Sequence, residues 1–248
     1  MSIESSADWD GLHAVSAVAS QTLKLLERAA EPGITTGELD RIAASYFASC
    51  GARSAPAQVY GFPGTVLISV NEEVVHGIPG RRVIRAGDLV SLDVTVALDG
   101  YVADAARSVV VAPGSRTAHR LVRCAKAAFD SALGVAFAGT RVSEIGRAVE
   151  GKVRREGFVV VKGLCGHGVG RTIHEPPEVP NEWDPHQTDL LTEGLVITIE
   201  PMVTSGSGHP FDEKDGWTIR TRDRSLAAHH EDTVVITRGK PIVLTAAA

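Results

Sequence analysis

Two amphipathic helical patterns open the chain. In the first, apolar residues recur every three to four positions over residues 12–26, Asp8 stands where a cap is expected, and Glu31-Pro32-Gly33 ends the pattern. The second covers residues 35–51, where a Thr-x-x-Glu capping box precedes the apolar face and a glycine follows it. We therefore predict two helices before residue 52.

The remainder of the chain carries both strand patterns and helical patterns. Segments that are rich in β-branched residues and bounded by Gly, Pro or Asp predict strands. These segments are 66–70, 89–98, 102–111, 159–161, 195–203 and 233–237. Helical spacing of apolar residues predicts two more helices, at about 117–137 and about 143–156. Together the patterns predict an α+β fold.

An internal repeat relates the two halves of the chain. A shift of 106 residues lays segment 33–51, with its glycines and its amphipathic face, on segment 139–157. A shift of 107 residues lays segment 87–93 on segment 194–200, and both copies end in a carboxylate. Two nearly equal offsets favour a duplicated helix–helix–strand unit. We expect two pseudo-equivalent halves around one shared sheet.

Composition and charge narrow the class of protein. The chain has 248 residues, with 25 Lys and Arg against 30 Asp and Glu, and a formal net charge of −5. This length suits a single domain, 1–248, with halves of about 1–111 and 112–248. A mildly acidic chain without a basic run lacks the charge pattern of a nucleic-acid-binding protein. No apolar stretch approaches the length of a membrane span and the opening residues do not resemble a secretory leader, so we expect a cytoplasmic protein without membrane contact.

The cysteines do not indicate a disulfide framework. Cys50, Cys124 and Cys165 are odd in number and have no C-x-x-C spacing, so a thiolate zinc site is not supported either. We expect all three to be small core residues.

A hairpin signal brings two acidic residues together. Asp99-Gly100 between two strand patterns predicts a two-residue turn. In that register Thr95 opposes Asp104, which makes Asp93 and Asp104 diagonal neighbours on one face, roughly 7–8 Å apart at Cα. The alternative is a pair of solvent-facing acids, and a bulge would change the register. Since both acids lie within apolar runs, however, a neutralising cation is the more economical explanation.

Further acids and a histidine occur in similar surroundings. Glu200 ends one apolar strand pattern, and Glu231 begins another. His167 stands among glycines in segment 166–170, which lacks the Lys-Ser/Thr of a phosphate-binding loop. A lone histidine of this kind is more often structural, but four carboxylates and one imidazole are the ligand set of a two-metal hydrolytic site, with ions about 3.5–4 Å apart. Oxygen ligands with one nitrogen suit Mn or Fe(II) better than a structural zinc.

These residues belong to longer motifs that resemble a known family. The motifs are Asn71-Glu72-Glu73-Val74-Val75-His76-Gly77-Ile78-Pro79, Asp93, Asp104, Gly166-His167-Gly168-Val169-Gly170, His174-Glu175-Pro176-Pro177, Thr198-Ile199-Glu200-Pro201-Met202, Gly216-Trp217 and Glu231. The ordered set resembles the type I methionine aminopeptidases over almost the whole chain, in their short bacterial form. The resemblance implies the pita-bread fold, a pseudo-twofold arrangement around a curved antiparallel sheet, and the internal repeat agrees with it.

The resemblance also implies a reaction and a role for particular residues. The reaction is removal of the N-terminal methionine from proteins with a small second residue, through a water activated by two divalent metal ions (Mn, Fe(II) or Co). The implied metal ligands are Asp93, Asp104, His167, Glu200 and Glu231. Asp104 and Glu231 would bridge the ions, and Glu200 would also act as general base. His174 would donate to the developing tetrahedral oxygen, and His76 would contact the scissile nitrogen or the next backbone group.

The resemblance further implies a methionine pocket. The implied substrate-binding residues are Val59, Tyr60, Phe62, Leu67, His76, Ile173, His174 and Trp217. Leu67, Ile173 and His229 stand where relatives often have cysteine, phenylalanine and glutamine. Strand alternation places His229 on the same face as Glu231, with His230 turned away. His229 would then donate a hydrogen bond to a ligand carboxylate, and the alternative is a histidine beyond reach of the site.

The implied partners are the N-termini of nascent polypeptides at the ribosome exit, and we expect a monomer that binds no nucleic acid itself. Two alternatives remain open. A proline-specific peptidase of the same fold shares the five ligands, although it usually has a glycine where Met202 follows the Glu-Pro pair here. A metal-free binding module of the same fold would have lost ligands, and all five are present.

Overall fold

Helices and strands occur in both halves of the computed structural model, which describes residues 1–246. The first half contains α1 (Ser6–Ala29), α2 (Thr36–Cys50), β1 (Arg53–Ser54), α3 (Ala55–Tyr60), β2 (Leu67–Val70), β3 (Glu73–Val75), β4 (Leu89–Leu98) and β5 (Tyr101–Val110). The second half contains α4 (Arg116–Leu133), α5 (Ser143–Arg155), β6 (Val159–Val160), β7 (Cys165–Gly168), β8 (Glu175–Pro180), β9 (Val196–Ile199), β10 (Met202–Thr204), β11 (Pro210–Asp212), β12 (Ile219–Thr221), β13 (Ala227–His229), β14 (Glu231–Val235) and β15 (Ile242–Val243).

A nine-stranded sheet joins the two halves. Its strand order is β1-β4-β5-β14-β9-β7-β8, with β2 also paired to β4 and β15 to β14, and every pairing is antiparallel. The halves meet where β5 pairs with β14. One apolar core lies between this sheet and the α1–α2 pair, and a second lies under α4 and α5. The predicted α+β class, with a shared antiparallel sheet, is confirmed.

The helix ends show which capping signals were correct. The Thr35–Glu38 capping box of α2 is present in both directions, and Gly51 ends this helix with a left-handed φ of 70°. The prediction of Asp8 as the cap of α1 is wrong. Ser5 is the N-cap, and its hydroxyl accepts from the Asp8 amide while it donates to the Asp8 carboxylate. Among residues 1–246, no helix has the length and apolar character needed to cross a membrane.

The duplication is visible in equivalent backbone hydrogen bonds. Gly33 and Gly139, which the shift of 106 relates, donate to the carbonyls of Ile84 and Leu191, which the shift of 107 relates. The two N···O distances are 2.9 and 2.8 Å. Each helix pair is therefore attached to the rest of its half by the same contact.

The β4–β5 hairpin has the predicted register. Leu98 pairs with Tyr101 and Thr95 pairs with Asp104, without a bulge along the ladder. Both residues of the turn, Asp99-Gly100, have positive φ values, as a type I′ turn requires. Asp93 and Asp104 consequently lie on the same face of the sheet.

Segment 195–203 is not one strand. It divides at Glu200-Pro201 into β9, in the nine-stranded sheet, and β10, in a three-stranded sheet with β6 and β13. Pro201 has no amide hydrogen and cannot donate to a ladder. The chain returns from the β13-β10-β6 sheet to the nine-stranded sheet at His230, between β13 and β14, and the His230 amide donates to the Pro201 carbonyl. The two crossings lie side by side, which places Glu200 and Glu231 at the same junction.

Candidate metal centre and its cavity

Four carboxylates meet where β4, β5, β9 and β14 run together. Asp93 and Glu231 both pair with Ala106 of β5, from opposite sides, so they lie in one row across three strands. Asp232 pairs with Ile199, which brings Glu200 beside Glu231. Strand register therefore positions Asp93, Glu200 and Glu231, and it places Asp104 on the same face of the sheet.

The four carboxylates lie close together and are largely shielded from solvent. Asp104, Glu200 and Glu231 are 5%, 8% and 2% exposed. Burial raises the pKa of Asp104 to about 6. Burial, and then repulsion by the neighbouring carboxylates, raises the pKa values of Asp93, Glu200 and Glu231 well above their ordinary range. Within residues 1–246, Asp93 Oδ1 has no hydrogen-bond partner. A cluster of this charge is stable only with protons or cations, so divalent cations fit it.

His167 faces the cluster from β7. Its Nε2 lies 3.5 Å from Glu200 Oε1 and 3.9 Å from Asp104 Oδ2, while Nδ1 is 3.0 Å from the Gly168 carbonyl. Burial lowers the pKa of His167 to about 4, so the imidazole is neutral near pH 7 and can act as a metal ligand. A Cβ at Gly166 would lie 2.6 Å from the Thr198 carbonyl oxygen, which explains a glycine beside this histidine.

The ligand atoms form two overlapping groups. Atoms of Asp104, His167 and Glu231 lie within 4.8 Å of one another, and so do atoms of Asp93, His229 and Glu231. Glu231 belongs to both groups, which is the arrangement expected of a carboxylate that bridges two ions. The five predicted ligands are thus brought together, with His229 beside them.

The two neighbouring histidines face different surroundings. His229 is 1% exposed, and its Nε2 lies 3.7 Å from Glu231 Oε2 and 3.8 Å from Glu200 Oε2. His230 instead places Nε2 3.5 Å from Asp232 Oδ2 and packs its ring on Phe129. The alternation inferred from the sequence therefore holds, and the alternative of a His229 beyond reach of the cluster does not.

A cavity extends from the carboxylates toward the surface. The predicted substrate-binding residues that line it are Tyr60, Phe62, Leu67, His76, Ile173, His174 and Trp217. Phe62 and Trp217 pack edge to face with ring centroids 5.2 Å apart, and the Trp217 amide donates to Asp215. Val59 does not line this cavity: its side chain is 55% exposed and borders a separate groove, because it lies one residue before the position on α3 that faces inward.

Tyr60 contacts a predicted catalytic residue directly. Its hydroxyl is 2.5 Å from His174 Nδ1, and the two rings are tilted at a centroid distance of 5.6 Å. Gly61 ends α3 with a φ of 73°, which fixes Tyr60 at the last position of that helix. Burial lowers the pKa of His174, so this imidazole too is neutral near pH 7. The contact orients the His174 ring and was not apparent from the sequence.

His76 follows β3 in an unusual backbone conformation. Its φ is 60°, and the next residue, Gly77, approaches Ile68 so closely that a Cβ would lie 2.2 Å from the carbonyl oxygen. Burial, and then the nearby His174, lowers the pKa of His76. Such local strain is often found at functional positions, where surrounding contacts hold the residue in place.

Some lining residues were missed in the sequence. Pro56, Leu164, Cys165 and Met202 also border the cavity. Cys165 is two residues before His167 on the same strand, so alternation would have placed it on the cavity face. The prediction of three core cysteines holds for Cys124 but not for Cys50 or Cys165, which are half-buried. All three thiols are free, and burial raises the pKa of Cys165 to about 11.

A metallopeptidase family matches most of the chain. Residues 10–238 match the model of metallopeptidase family M24. Methionine aminopeptidase 2 of Bacillus subtilis is 40% identical over 247 residues, 99% of this chain and 99% of that protein. Methionine aminopeptidase of Clostridium perfringens is 42% identical over 228 residues, 92% of each chain.

Solved structures give the same result for the fold. The crystal structure of methionine aminopeptidase from Thermotoga maritima superposes with a TM-score of 0.95 at 31% identity and covers 99% of each chain. Prolidase from Pyrococcus furiosus superposes with a TM-score of 0.79 at 21% identity and covers 98% of this chain and 65% of that one, which shows a shared fold. Both predictions, the pita-bread fold and the family, are confirmed. The chain belongs to metallopeptidase family M24 and, within it, to the methionine aminopeptidases.

Proposed function

We propose that this protein removes the N-terminal methionine from nascent polypeptides whose second residue is small. The observation that carries the proposal is the meeting of Asp93, Asp104, Glu200, Glu231 and His167 at the inner end of a largely apolar cavity. A free N-terminus and an unbranched apolar side chain match a cavity of this shape and polarity. The high identity to methionine aminopeptidases supports this activity over that of a proline-specific peptidase, whose resemblance is one of fold.

The proposed roles follow from where each group lies. Asp93, Asp104, His167, Glu200 and Glu231 would hold two divalent cations, and Asp104 and Glu231 would contribute to both. When bound, these cations supply Lewis acidity for the hydrolysis of an amide. Glu200 takes the proton of the attacking water, since its carboxylate is buried beside the other ligands and lines the cavity.

The histidines act on the peptide itself. His174 donates to the oxygen on which negative charge develops, and His76 contacts the scissile nitrogen or the next backbone group. Tyr60 keeps the His174 ring in position through the contact at Nδ1. The pocket selects the first side chain of the peptide by size and polarity. Its walls are formed by Phe62, Leu67, Ile173 and Trp217.

The setting of the reaction is also part of the proposal. The cations are Mn, Fe(II) or Co, because carboxylate oxygens combined with imidazole nitrogen suit these ions better than a structural zinc. The chain acts as one catalytic domain, 1–248, and as a monomer in the cytoplasm, on polypeptides that leave the ribosome, without binding nucleic acid or membrane itself.

Peptide hydrolysis tests the activity most directly. We expect the manganese-loaded protein to release methionine from Met-Ala-Ser and to leave Ala-Pro peptides uncut, because the pocket accepts the methionine side chain at the first position. Chromatography of the products at matched peptide concentrations measures both rates. Cleavage of Ala-Pro peptides in preference to Met-Ala-Ser would assign the chain to the proline-specific class instead.

The pocket makes a second prediction about specificity. Trp217→Ala is expected to lower kcat/KM for Met-Ala-Ser at least tenfold, because it removes a large rigid wall that Phe62 packs against. Norleucine at the first position should be cut within about tenfold of methionine, since exchanging the thioether sulfur for a methylene conserves volume and usually costs less than about 1.5 kcal/mol. Lysine or glutamate should not be cut, because either would bury an unpaired charge.

Trp183→Ala is the matched control, because Trp183 is 46% exposed and stacks on Arg147 outside the cavity. It should leave kcat/KM unchanged. Normal kcat/KM in Trp217→Ala, or equal cleavage of lysine and methionine peptides, would require another location for the pocket.

A further inference from the structure

We propose that His229 is a direct metal ligand, a second imidazole that coordinates the ion held by Asp93 and Glu231. The inference rests on the proposed function only because it requires the two metal ions. With His229 as a ligand, each ion has one nitrogen ligand, which is His167 for one ion and His229 for the other.

The position of His229 suits coordination. A ligand atom of His229 lies within 4.8 Å of ligand atoms of Asp93 and Glu231. Its Nε2 is 3.7 Å from Glu231 Oε2 and 3.8 Å from Glu200 Oε2. Two ligands that are each about 2.1 Å from one ion can be at most about 4.2 Å apart, so the 3.7 Å separation between His229 and Glu231 is compatible with a shared ion.

The same separations do not suit a hydrogen bond. Donor and acceptor atoms in N–H···O bonds lie about 2.7–3.2 Å apart, and both carboxylate oxygens are farther than that from Nε2. The expectation that His229 donates a hydrogen bond to a ligand carboxylate therefore has no contact to support it. A cation between Nε2 and Glu231 Oε2 accounts for their longer separation.

Unpaired polar atoms point to the same ion. Neither ring nitrogen of His229 has a hydrogen-bond partner within residues 1–246, although the side chain is 1% exposed. Asp93 Oδ1 is buried and unpaired in the same way, and it belongs to the same ligand group. Buried polar groups are rarely left without a partner. One ion would satisfy Nε2 of the imidazole and Oδ1 of the carboxylate.

The backbone of His229 is held in place from two sides. Its amide donates to the Ser108 hydroxyl at 2.8 Å, and the same hydroxyl donates to the His229 carbonyl at 2.9 Å. Ser108 is in turn 2.7 Å from the hydroxyl of Ser91. His229 also pairs with Met202 in the β10–β13 ladder. A ligand fixed in this way loses little conformational entropy when it binds an ion.

X-ray absorption at the manganese edge of the protein loaded with two equivalents of Mn(II) tests the proposal. Multiple scattering from imidazole rings reports how many histidines coordinate each ion. We expect an average of one imidazole per ion in the unmodified protein and half of one in His229→Gln. His230→Gln is the matched control and should keep one per ion, because that ring faces Asp232 and Phe129. Titration calorimetry should show at least tenfold weaker binding of one ion in His229→Gln only.

The outcomes separate this proposal from the proposed function. Half an imidazole per ion in the unmodified protein with two ions bound would overturn the role of His229 and leave the metal pair intact. Fewer than two bound ions in the unmodified protein would overturn both. If His229→Gln does not fold, His167→Gln provides the test. Imidazole scattering that persists in His167→Gln comes from His229. Its complete loss contradicts the proposal.

Discussion

Glu200→Gln is expected to leave a folded protein whose kcat for Met-Ala-Ser is at least about a hundredfold lower. The substitution removes a ligand charge and the group that accepts the proton from water, and the general base alone contributes about 10²–10⁴-fold. The amide keeps the size of the side chain, so the hydrogen bond from Thr198 Oγ1, 2.9 Å in the native protein, can still form. Steady-state kinetics at saturating peptide measures the change.

Glu156→Gln is the control for this experiment. Glu156 ends α5 and pairs with Lys152 at the surface, so its replacement should leave kcat within twofold. Near-normal turnover in Glu200→Gln, with a circular dichroism spectrum like that of the native protein, would remove Glu200 from the role of base.

Chelation is expected to have the second large effect. Dialysis against EDTA should abolish peptide cleavage, and Mn or Fe(II) should restore it. The melting temperature should fall on chelation, because burial and mutual repulsion raise the pKa values of Asp93, Glu200 and Glu231 and therefore destabilise their ionised forms near pH 7. Rebound cations bind the folded state and should raise the melting temperature again.

Differential scanning calorimetry measures the melting temperature, and peptide assays on the same samples measure the activity. The metal content of each sample is measured by plasma mass spectrometry. Full activity after chelation, in protein with no bound metal, would contradict a metal-dependent reaction. A melting temperature that does not respond to cations would show that the carboxylates are neutralised in another way, for instance by shared protons.

Local sequence determined the features that depend on neighbouring residues. The capping box at Thr35 and the left-handed glycine at position 51 each act within one turn of helix, so their signals could be interpreted without the rest of the fold. The Asp99-Gly100 turn set the register of ten residue pairs, because a two-residue hairpin leaves a single pairing. That register alone placed Asp93 and Asp104 on one face. The duplication could also be recognised from the sequence, because both copies have glycines at equivalent positions and the same apolar periodicity.

Only the tertiary structure decided how segments that are remote in the sequence meet. The crossings at Pro201 and His230 bring Glu200 beside Glu231 through contacts between segments that are some thirty residues apart, and no local pattern shows them. The same holds for Tyr60 against His174, 114 residues away. Val59 was assigned to the cavity because side-chain direction on the short helix α3 was not apparent from the sequence. Cys165 was assigned to the core although its spacing from His167 on one strand indicates the cavity face.

His229 shows the difference most clearly. Strand alternation gave its face correctly, because the side-chain period of a strand is a local property. Whether the ring reaches a carboxylate, a carbonyl or an ion depends on the distance to groups from β4 and β9, and those distances are set by packing of the whole sheet. The sequence by itself therefore determined which chemistry the chain carries, whereas long-range packing decided which atoms meet, because distances between remote segments are fixed only when the complete core has formed.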